Sequence, residues 1–437
     1  MTANNGEKIY GWVRDLFPIC RSLTGDGVRE TLSYIQNILP EMKVCSVPSG
    51  TRAFDWTVPD EWNISEAFIE TNNGERVVDF HANNLHVVGY SEPVDCEMTF
   101  RELDKHLYSL PEQPDAIPYI TSYYQKRWGF CLTETQRNLL RKKPDEIYRV
   151  KINTDLRPGE LNYGELIIPG RLEKEVLLST YVCHPSMANN ELSGPCLAAA
   201  LAEYIRNQKD RVFTYRILFL VETLGSIVYL SKNHMEMKKN TLAGFVLTCV
   251  GDNRKYSYIA SRWGNTLADK IAKHSLTHHV GSFDEYSFLQ RGSDERQYCS
   301  VGIDLPVCSV CRSKYGEYPE YHTSLDNLDL VSPEGLQGSF DLYCKIIMYL
   351  ENNKVYRCNV KCEPQLGKRG LYPTLSTKET YSITRNMMNL IAYADGNHTL
   401  LEIAELIGVS MGTLIPIAKQ LTEGGVFEEL NLETKGF

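Results

Sequence analysis

Three short apolar runs recur along the middle of the chain, each ending in a polar turn. They are Glu175-Val-Leu-Leu-Ser-Thr-Tyr-Val182, Tyr215-Arg-Ile-Leu-Phe-Leu-Val221 and Gly244-Phe-Val-Leu-Thr-Cys-Val250. Runs of this length, rich in β-branched and aromatic residues, read as strands buried on both faces. The first leads through Cys183–Gly194 into Cys196-Leu-Ala-Ala-Ala-Leu-Ala-Glu-Tyr-Ile205, whose small residues let a helix lie close on a sheet. Strands alternating with helices predict an α/β fold, and in such sheets ligands collect at the carboxyl ends of the strands.

The flanking patterns differ. Val28, Leu32, Ile35 and Leu39 recur at helical spacing, and Pro40 stops that helix. From Val47 the texture turns to short strands and turns, with Asn72-Asn-Gly-Glu75 as a hairpin signal. Residues 47–154 are therefore expected to form a β-rich domain inserted into an α/β domain built from 1–46 and 155–355. The insertion would bring the aromatics of Pro118–Phe130 over the strand-end cleft as a substrate wall. Gly370 through Thr380 has the composition of a linker. Beyond it, helical patterns over 383–393, 399–407 and 411–421 and a β-like tail over 424–430 predict a winged helix within 375–437.

Charge and cysteine usage narrow the functions. The 437 residues carry a formal charge of −9, which is unsuited to a phosphate-binding surface. The helix that would enter a DNA groove offers Lys419 and Gln420 but no Arg, with Glu423, Glu428 and Glu429 close by. A protein-contacting or cleft-closing role is expected of it instead. No apolar run reaches membrane-spanning length and the first residues lack a hydrophobic signal core, so a cytoplasmic location and no membrane partner are expected. The 13 cysteines are scattered and read as reduced core thiols. Cys308 and Cys311 have knuckle spacing, but no second pair repeats it, which argues against a structural zinc.

Candidate chemistry lies just past the strands. His184, Glu222 and His322, each in a loop or at a strand end, are the ligand types that catalytic zinc takes. Their setting resembles the co-catalytic-zinc aminopeptidase family, and more closely the aminopeptidase-like proteins of domain of unknown function 4910, with an inserted domain and a winged-helix tail. The resemblance rests on Cys183–Gly194, Glu222-Thr-Leu-Gly-Ser226, Gly292-Ser-Asp-Glu-Arg-Gln-Tyr298 and Glu320-Tyr-His-Thr-Ser-Leu-Asp326. It implies a three-layer, zinc-exopeptidase-like mixed sheet.

The resemblance further implies that His184 and His322 are metal ligands and that Glu222 stands where the family has a glutamate pair, one acting as base and one as ligand. Asn190 falls where the family has a metal-bridging Asp, and Thr248 where a later carboxylate is expected. An uncharged amide does not hold two dications together, so one zinc is expected rather than two. It would be held by His184, Glu222 and His322, or by Glu222 and His322 with help from Asn190; a site without metal is the remaining option. If Glu222 ligates, the base must be another acid. Asp294 with Glu295 is the first choice, ahead of Glu191 and Glu320, because adjacent acids can titrate apart. Arg21, Arg312 and Glu320 are candidate substrate contacts, Arg312 as a fork for a carboxylate.

The expected function is zinc-dependent hydrolysis of peptide or related amide bonds, with a small peptide or aminoacyl amide as substrate and a homo-oligomer as a possible assembly. Two alternatives stand beside it. One is a non-hydrolytic relative (a cyclase, transferase or ligand-binding protein) with a degenerate metal site; the other is a winged-helix regulator.

Overall fold

The computed structural model describes residues 4–123, 125–371 and 378–430, so residues 372–377 of the expected linker lie outside it. Eight strands form the principal sheet: β1 (Lys43–Pro48), β2 (Glu160–Ile168), β3 (Glu175–Tyr181), β4 (Thr214–Leu220), β5 (Thr241–Val246), β6 (Ser257–Ile259), β7 (Asp284–Tyr286) and β8 (Val307–Cys311). Their order is β1-β2-β4-β3-β5-β8-β6-β7. The inner four, β4, β3, β5 and β8, run parallel, whereas β1, β2 and β6 join antiparallel. Every residue of β3 is buried, as expected of a strand covered on both faces.

Parallel strands send their carboxyl ends to one edge, so the segments leaving β3, β4, β5 and β8 converge. Helix Ser193–Asn207 follows the β3 loop with Ala198, Ala199 and Ala200 buried. Its Gly194 is forced: a Cβ there would meet the Leu247 carbonyl oxygen at 2.3 Å. The close approach pulls the β3 loop against the end of β5.

A second, antiparallel sheet takes the strands Arg76–Asp79, Glu61–Thr71, Ile147–Arg157 and Val94–Thr99 in that order. It packs its own apolar core around Ala67, Ile69, Phe100, Phe130 and Val150. It nonetheless shares one compact unit with the principal sheet, a unit that covers residues 1–268 and 284–340.

One salt bridge ties this sheet to the helix Asp26–Ile38. Arg29 donates Nη1 to Glu61 Oε2 at 2.9 Å and Nη2 to Glu61 Oε1 at 2.6 Å. The Glu61 side chain is 9% exposed, and its hydrogen bonds to Arg29 hold the carboxyl down at about 2. A depressed folded-state value gives stability that is present above the unfolded value near 4.5 and lost as pH falls toward 2. Allowing for the half-open guanidinium, Glu61→Gln should cost about 2 kcal/mol at pH 7. Denaturant melts of the two proteins should converge as pH approaches 2; a gap unchanged at that pH would refute the linkage.

The second unit comprises residues 269–283 and 341–437. Its helices Lys378–Tyr393, Leu400–Ile407 and Met411–Glu423 accompany a three-stranded sheet ordered Asp395–Thr399, Val355–Cys358, Phe427–Leu430. The winged helix thus takes in a strand well upstream of residue 375. His274, His278 and Glu405 gather within this unit. His274 Nε2 accepts the Met411 N–H at 2.9 Å, so its proton sits on Nδ1, which donates to Glu405, and neither nitrogen has a lone pair for a metal. Among the described residues no single helix is long and apolar enough to cross a membrane.

Candidate active site

Backbone strain marks the site before any chemistry does. Ser186, Thr223, Cys249 and His322 have φ of 45°, 64°, 51° and 57°, one in each segment leaving the four inner strands. Left-handed backbone is costly for such residues, above all for the β-branched Thr223, and persists where the surroundings over-determine it.

His184 is gripped at both ends. Its carbonyl accepts Arg21 Nε–H at 3.0 Å, and Arg21, 1% exposed, also donates to the Leu16 carbonyl. Its Nδ1 lies 2.6 Å from Glu191 Oε2, which assigns the Nδ1 proton to that contact. Burial disfavours the imidazolium, but Cys183 and Glu191 outweigh it and raise the affinity of His184 for a proton. Its Nε2 points the other way, 3.6 Å from Glu222 Oε2.

Asn190 and Glu191 occupy a single π-helical turn, Ala188–Leu192, a local widening frequent at functional sites. Asp326 holds that turn. Its carboxylate accepts the N–H groups of Ala188 (3.1 Å), Asn189 (2.6 Å) and Asn190 (2.9 Å) and the Tyr318 hydroxyl (2.8 Å). The loop carrying His322 therefore fixes the turn carrying Asn190. Asp326→Ala leaves the buried N–H groups of Asn189 and Asn190 without an acceptor, while Ala188 keeps its bond to the Asp326 main-chain carbonyl, and should cost about 2–5 kcal/mol of stability. A shift in urea midpoint worth under about 1 kcal/mol would contradict this reading.

On the side of Asn190 and Thr248 the site is neutral. Asn190 Nδ2 donates to the Tyr181 hydroxyl at 3.0 Å, that hydroxyl pairs with Thr248 Oγ1 at 2.6 Å, and Thr248 donates to the Asn190 carbonyl at 3.0 Å. The three groups close on one another and no carboxylate enters. Asn190 Oδ1 is buried without a partner.

Glu222 follows β4. Its Oε1 accepts the Ser293 hydroxyl at 2.9 Å, and its side chain, 19% exposed, is the one carboxylate here that solvent reaches; that of Glu191 is 0% exposed. Burial raises Glu222 above the usual carboxylate range, against the pull of His184, Arg296 and Ser293.

Asp294 lies behind Glu222, fully buried. It accepts Thr223 N–H at 2.7 Å and the Ser226 hydroxyl at 2.9 Å, and burial, then Glu222, push it up to about 7. Glu295 is taken up by Gly292 N–H, Ser293 N–H and the hydroxyls of Ser309 and Tyr315. The two acids thus hold the segments around Glu222 rather than line the opening.

His322 completes the set. Its imidazole lies 5.4 Å from that of His184 between ring centroids and stacks on Tyr321 at 3.9 Å. Burial and the neighbouring His184 push its pKa down to about 3, so it is neutral, and its Nε2 is buried with no partner. Tyr119, from the stretch foreseen as a wall, stands 5.2 Å from both imidazoles. Its N–H donates to the His322 carbonyl, and its hydroxyl meets that of Tyr123 at 3.0 Å.

Thus the fold gathers His184, Asn190, Glu222 and His322 and leaves the expected substrate contacts elsewhere. Arg21 supports the His184 loop from behind. Arg312 donates to Asn253 Oδ1 at 2.7 Å and lies over the Tyr256 ring. Glu320 is paired twice with Arg254, at 2.7 and 2.9 Å. Asp326 and Tyr181 were not foreseen, because nothing local distinguishes a capping Asp or a strand Tyr from its many counterparts.

His322 Nε2 and Asn190 Oδ1 are buried without a hydrogen-bond partner, and His184 Nε2 faces a carboxylate. Unpartnered acceptors in a buried site are what a cation satisfies, and two imidazoles with oxygen donors suit a borderline metal such as zinc.

Residues 10–353 match the family described as Domain of unknown function (DUF4910), and 354–429 match a winged helix-turn-helix model. The chain belongs to the DUF4910 family. A Clostridium acetobutylicum protein described as "Putative polysaccharide biosynthesis protein with aminopeptidase-like domain" is 44% identical over 410 residues, 93% of either chain. The crystal structure of a "putative peptidase" from that organism is similar to this DUF4910 chain with TM-score 0.91 and 42% identity, covering 97% and 96% of the two chains. More distantly, a zinc aminopeptidase from Bacillus subtilis shares the fold at TM-score 0.57 and 14% identity, over 79% of this chain and 94% of its own. The fold of this DUF4910 chain is therefore that of the aminopeptidase-like proteins, a mixed eight-stranded sheet followed by a winged helix.

Proposed function

We propose that this DUF4910 chain is a hydrolase of peptide or related amide bonds that works with one zinc ion. The observation that carries the reading is the pair of imidazoles His184 and His322, 5.4 Å apart between ring centroids, beside a single solvent-reached carboxylate, Glu222, with His322 Nε2 and Asn190 Oδ1 buried without partners. His184, His322 and Asn190 would hold the ion, with Glu222 Oε2 beside them, 3.6 Å from His184 Nε2. Bound there, zinc supplies a Lewis acid for the amide carbonyl and acidifies the attacking water.

Every other part of the reaction falls to side chains of the chain itself. Glu222 takes the proton of the attacking water on Oε2 and hands it to the departing amine, while Ser293 keeps Oε1 in place. A carboxylate raised above its usual range by burial suits both transfers. Tyr119 closes the aromatic side of the cleft over both imidazoles and excludes water, which strengthens each charge interaction beneath it. The substrate is then a small peptide or aminoacyl amide; because the Clostridium relative is described as a polysaccharide biosynthesis protein, sugars carrying an amide bond join the set to be tested.

The neutral network of Asn190, Thr248 and Tyr181 favours a second reading, a ligand-binding or cyclising relative. A panel of aminoacyl amides, N-terminal glutaminyl peptides and N-acyl sugars, run with elemental analysis of the purified protein, separates the two. Amine release with one zinc per chain supports hydrolysis; ring formation or no turnover favours the second, and protein that takes up no added zinc defeats the first.

The winged helix is assigned to protein contact rather than DNA. Lys419, Gln420 and Glu423 lie exposed on its third helix without an arginine, and Glu428 and Glu429 are paired with Arg357 and Lys354. A cytoplasmic location accords with 13 free thiols.

A further inference from the structure

The turn that denies the site a carboxylate at Asn190 supplies one at the next residue. Glu191 is 1% exposed and reaches back to His184, with Oε2 2.6 Å from Nδ1. Its other oxygen, Oε1, is buried with no hydrogen-bond partner. The guanidinium of Arg21, itself buried, interacts electrostatically with Glu191. A bare carboxylate does not remain in such a place without cost, and the contact it makes is with the back of the imidazole whose front faces Glu222.

We infer that Glu191 is a positioning residue that fixes His184 with its Nδ1 proton turned inward and Nε2 turned to the metal, and so delivers from behind the negative charge that Asn190 lacks. Metal-bound histidines commonly donate their second N–H to a carboxylate, which sets the ring and makes the ligating nitrogen more basic. Here the ion would rest on two imidazoles and an amide, all neutral. Negative charge transmitted through His184 then weighs more than it would in a site with a bridging Asp. Cys183 Sγ lies 3.5 Å from the same Nδ1 and also accepts the Glu222 N–H at 3.3 Å; the carboxylate oxygen at 2.6 Å is the stronger acceptor. Arg21 belongs to the same device: it holds the His184 carbonyl with Nε while its charge balances Glu191.

The inference rests on the single-zinc reading for its metal arm and on the hydrogen bond alone for its spectroscopic arm. Zinc affinity of the full chain would be measured by competition with a chelating dye for wild type, Glu191→Gln and Glu191→Leu. Gln, which keeps an acceptor but not the charge, should weaken zinc about 10-fold, and Leu about 100-fold. In parallel, histidine labelled with ¹⁵N in the metal-free protein, with His184 assigned from the spectrum of His184→Gln, should show a proton on Nδ1 that is lost or shifted in Glu191→Leu. Wild-type zinc binding with no loss in either variant, or a His184 protonated on Nε2 alone, overturns this inference. Wild type that takes no zinc, with the Nδ1 proton where expected, instead overturns the single-zinc reading and leaves the hydrogen bond to Glu191 standing.

Discussion

Replacing Glu222 by Gln is expected to lower amide hydrolysis by about 10²–10⁴-fold while the protein keeps its zinc, the magnitude being that of removing a positioned proton acceptor. The retention of metal follows from the division of labour at the site. Ser293 grips Oε1 of Glu222 and can grip a Gln oxygen equally well, so the side chain should stay in place. His184, His322 and Asn190 offer their acceptors without it. If Glu222 were a ligand as well, its 3.6 Å separation from His184 Nε2 would be the gap between two atoms on one ion, and the amide variant would lose zinc and turnover together. Elemental analysis beside kcat and KM decides: kcat lost at full zinc content supports the base role, joint loss refutes it, and unchanged kcat removes Glu222 from the chemistry.

The second large effect is expected at Asn190. Asn190→Asp should tighten zinc about 10–100-fold and still bind one ion per chain, because a charged ligand gains several kcal/mol of gross attraction to a dication in a partly buried site. Against this, the Nδ2 hydrogen bond to Tyr181 is lost, at about 1 kcal/mol. The burial of an acid adds a further cost in the metal-free protein. Stoichiometry should hold because Thr248 and the Tyr181 hydroxyl remain neutral where a second ion would need an acid. Only the double change Asn190→Asp with Thr248→Asp should raise it toward two. Titration calorimetry would test this, and two ions bound by the single variant would show that the neutral network is no barrier.

What could be read from the sequence follows from distance along the chain. His184, Glu222 and the neighbourhood of Thr248 each come directly after a run of buried residues, so an apolar strand followed by a polar group placed them at one sheet edge. The parallel packing of those three strands as β4-β3-β5 accords with the same alternation, whereas β8, whose cysteines stood out only for their spacing, was not legible as a strand. Partnerships between loops were hidden. Asp294 and Glu295 read as adjacent acids free to titrate apart; the fold spends Glu295 on four donors and seals Asp294 behind Thr223. Arg312 and Glu320 read as substrate contacts, and their partners, Asn253 and Arg254, lie far back in sequence. Strand Val355–Cys358 gave no sign of joining the winged helix because both its neighbours, Asp395–Thr399 and Phe427–Leu430, come later.

The aromatic insertion is tied to the last ligand loop by main chain as well as by rings. Pro118 bridges Thr323, Tyr119 donates to the His322 carbonyl, and Ser324 and Ile117 exchange two hydrogen bonds. A roof stitched to the residue it shelters cannot swing open like a door without dragging that imidazole along. A grafted or shortened roof would therefore shift His322 even if every acid and imidazole were kept.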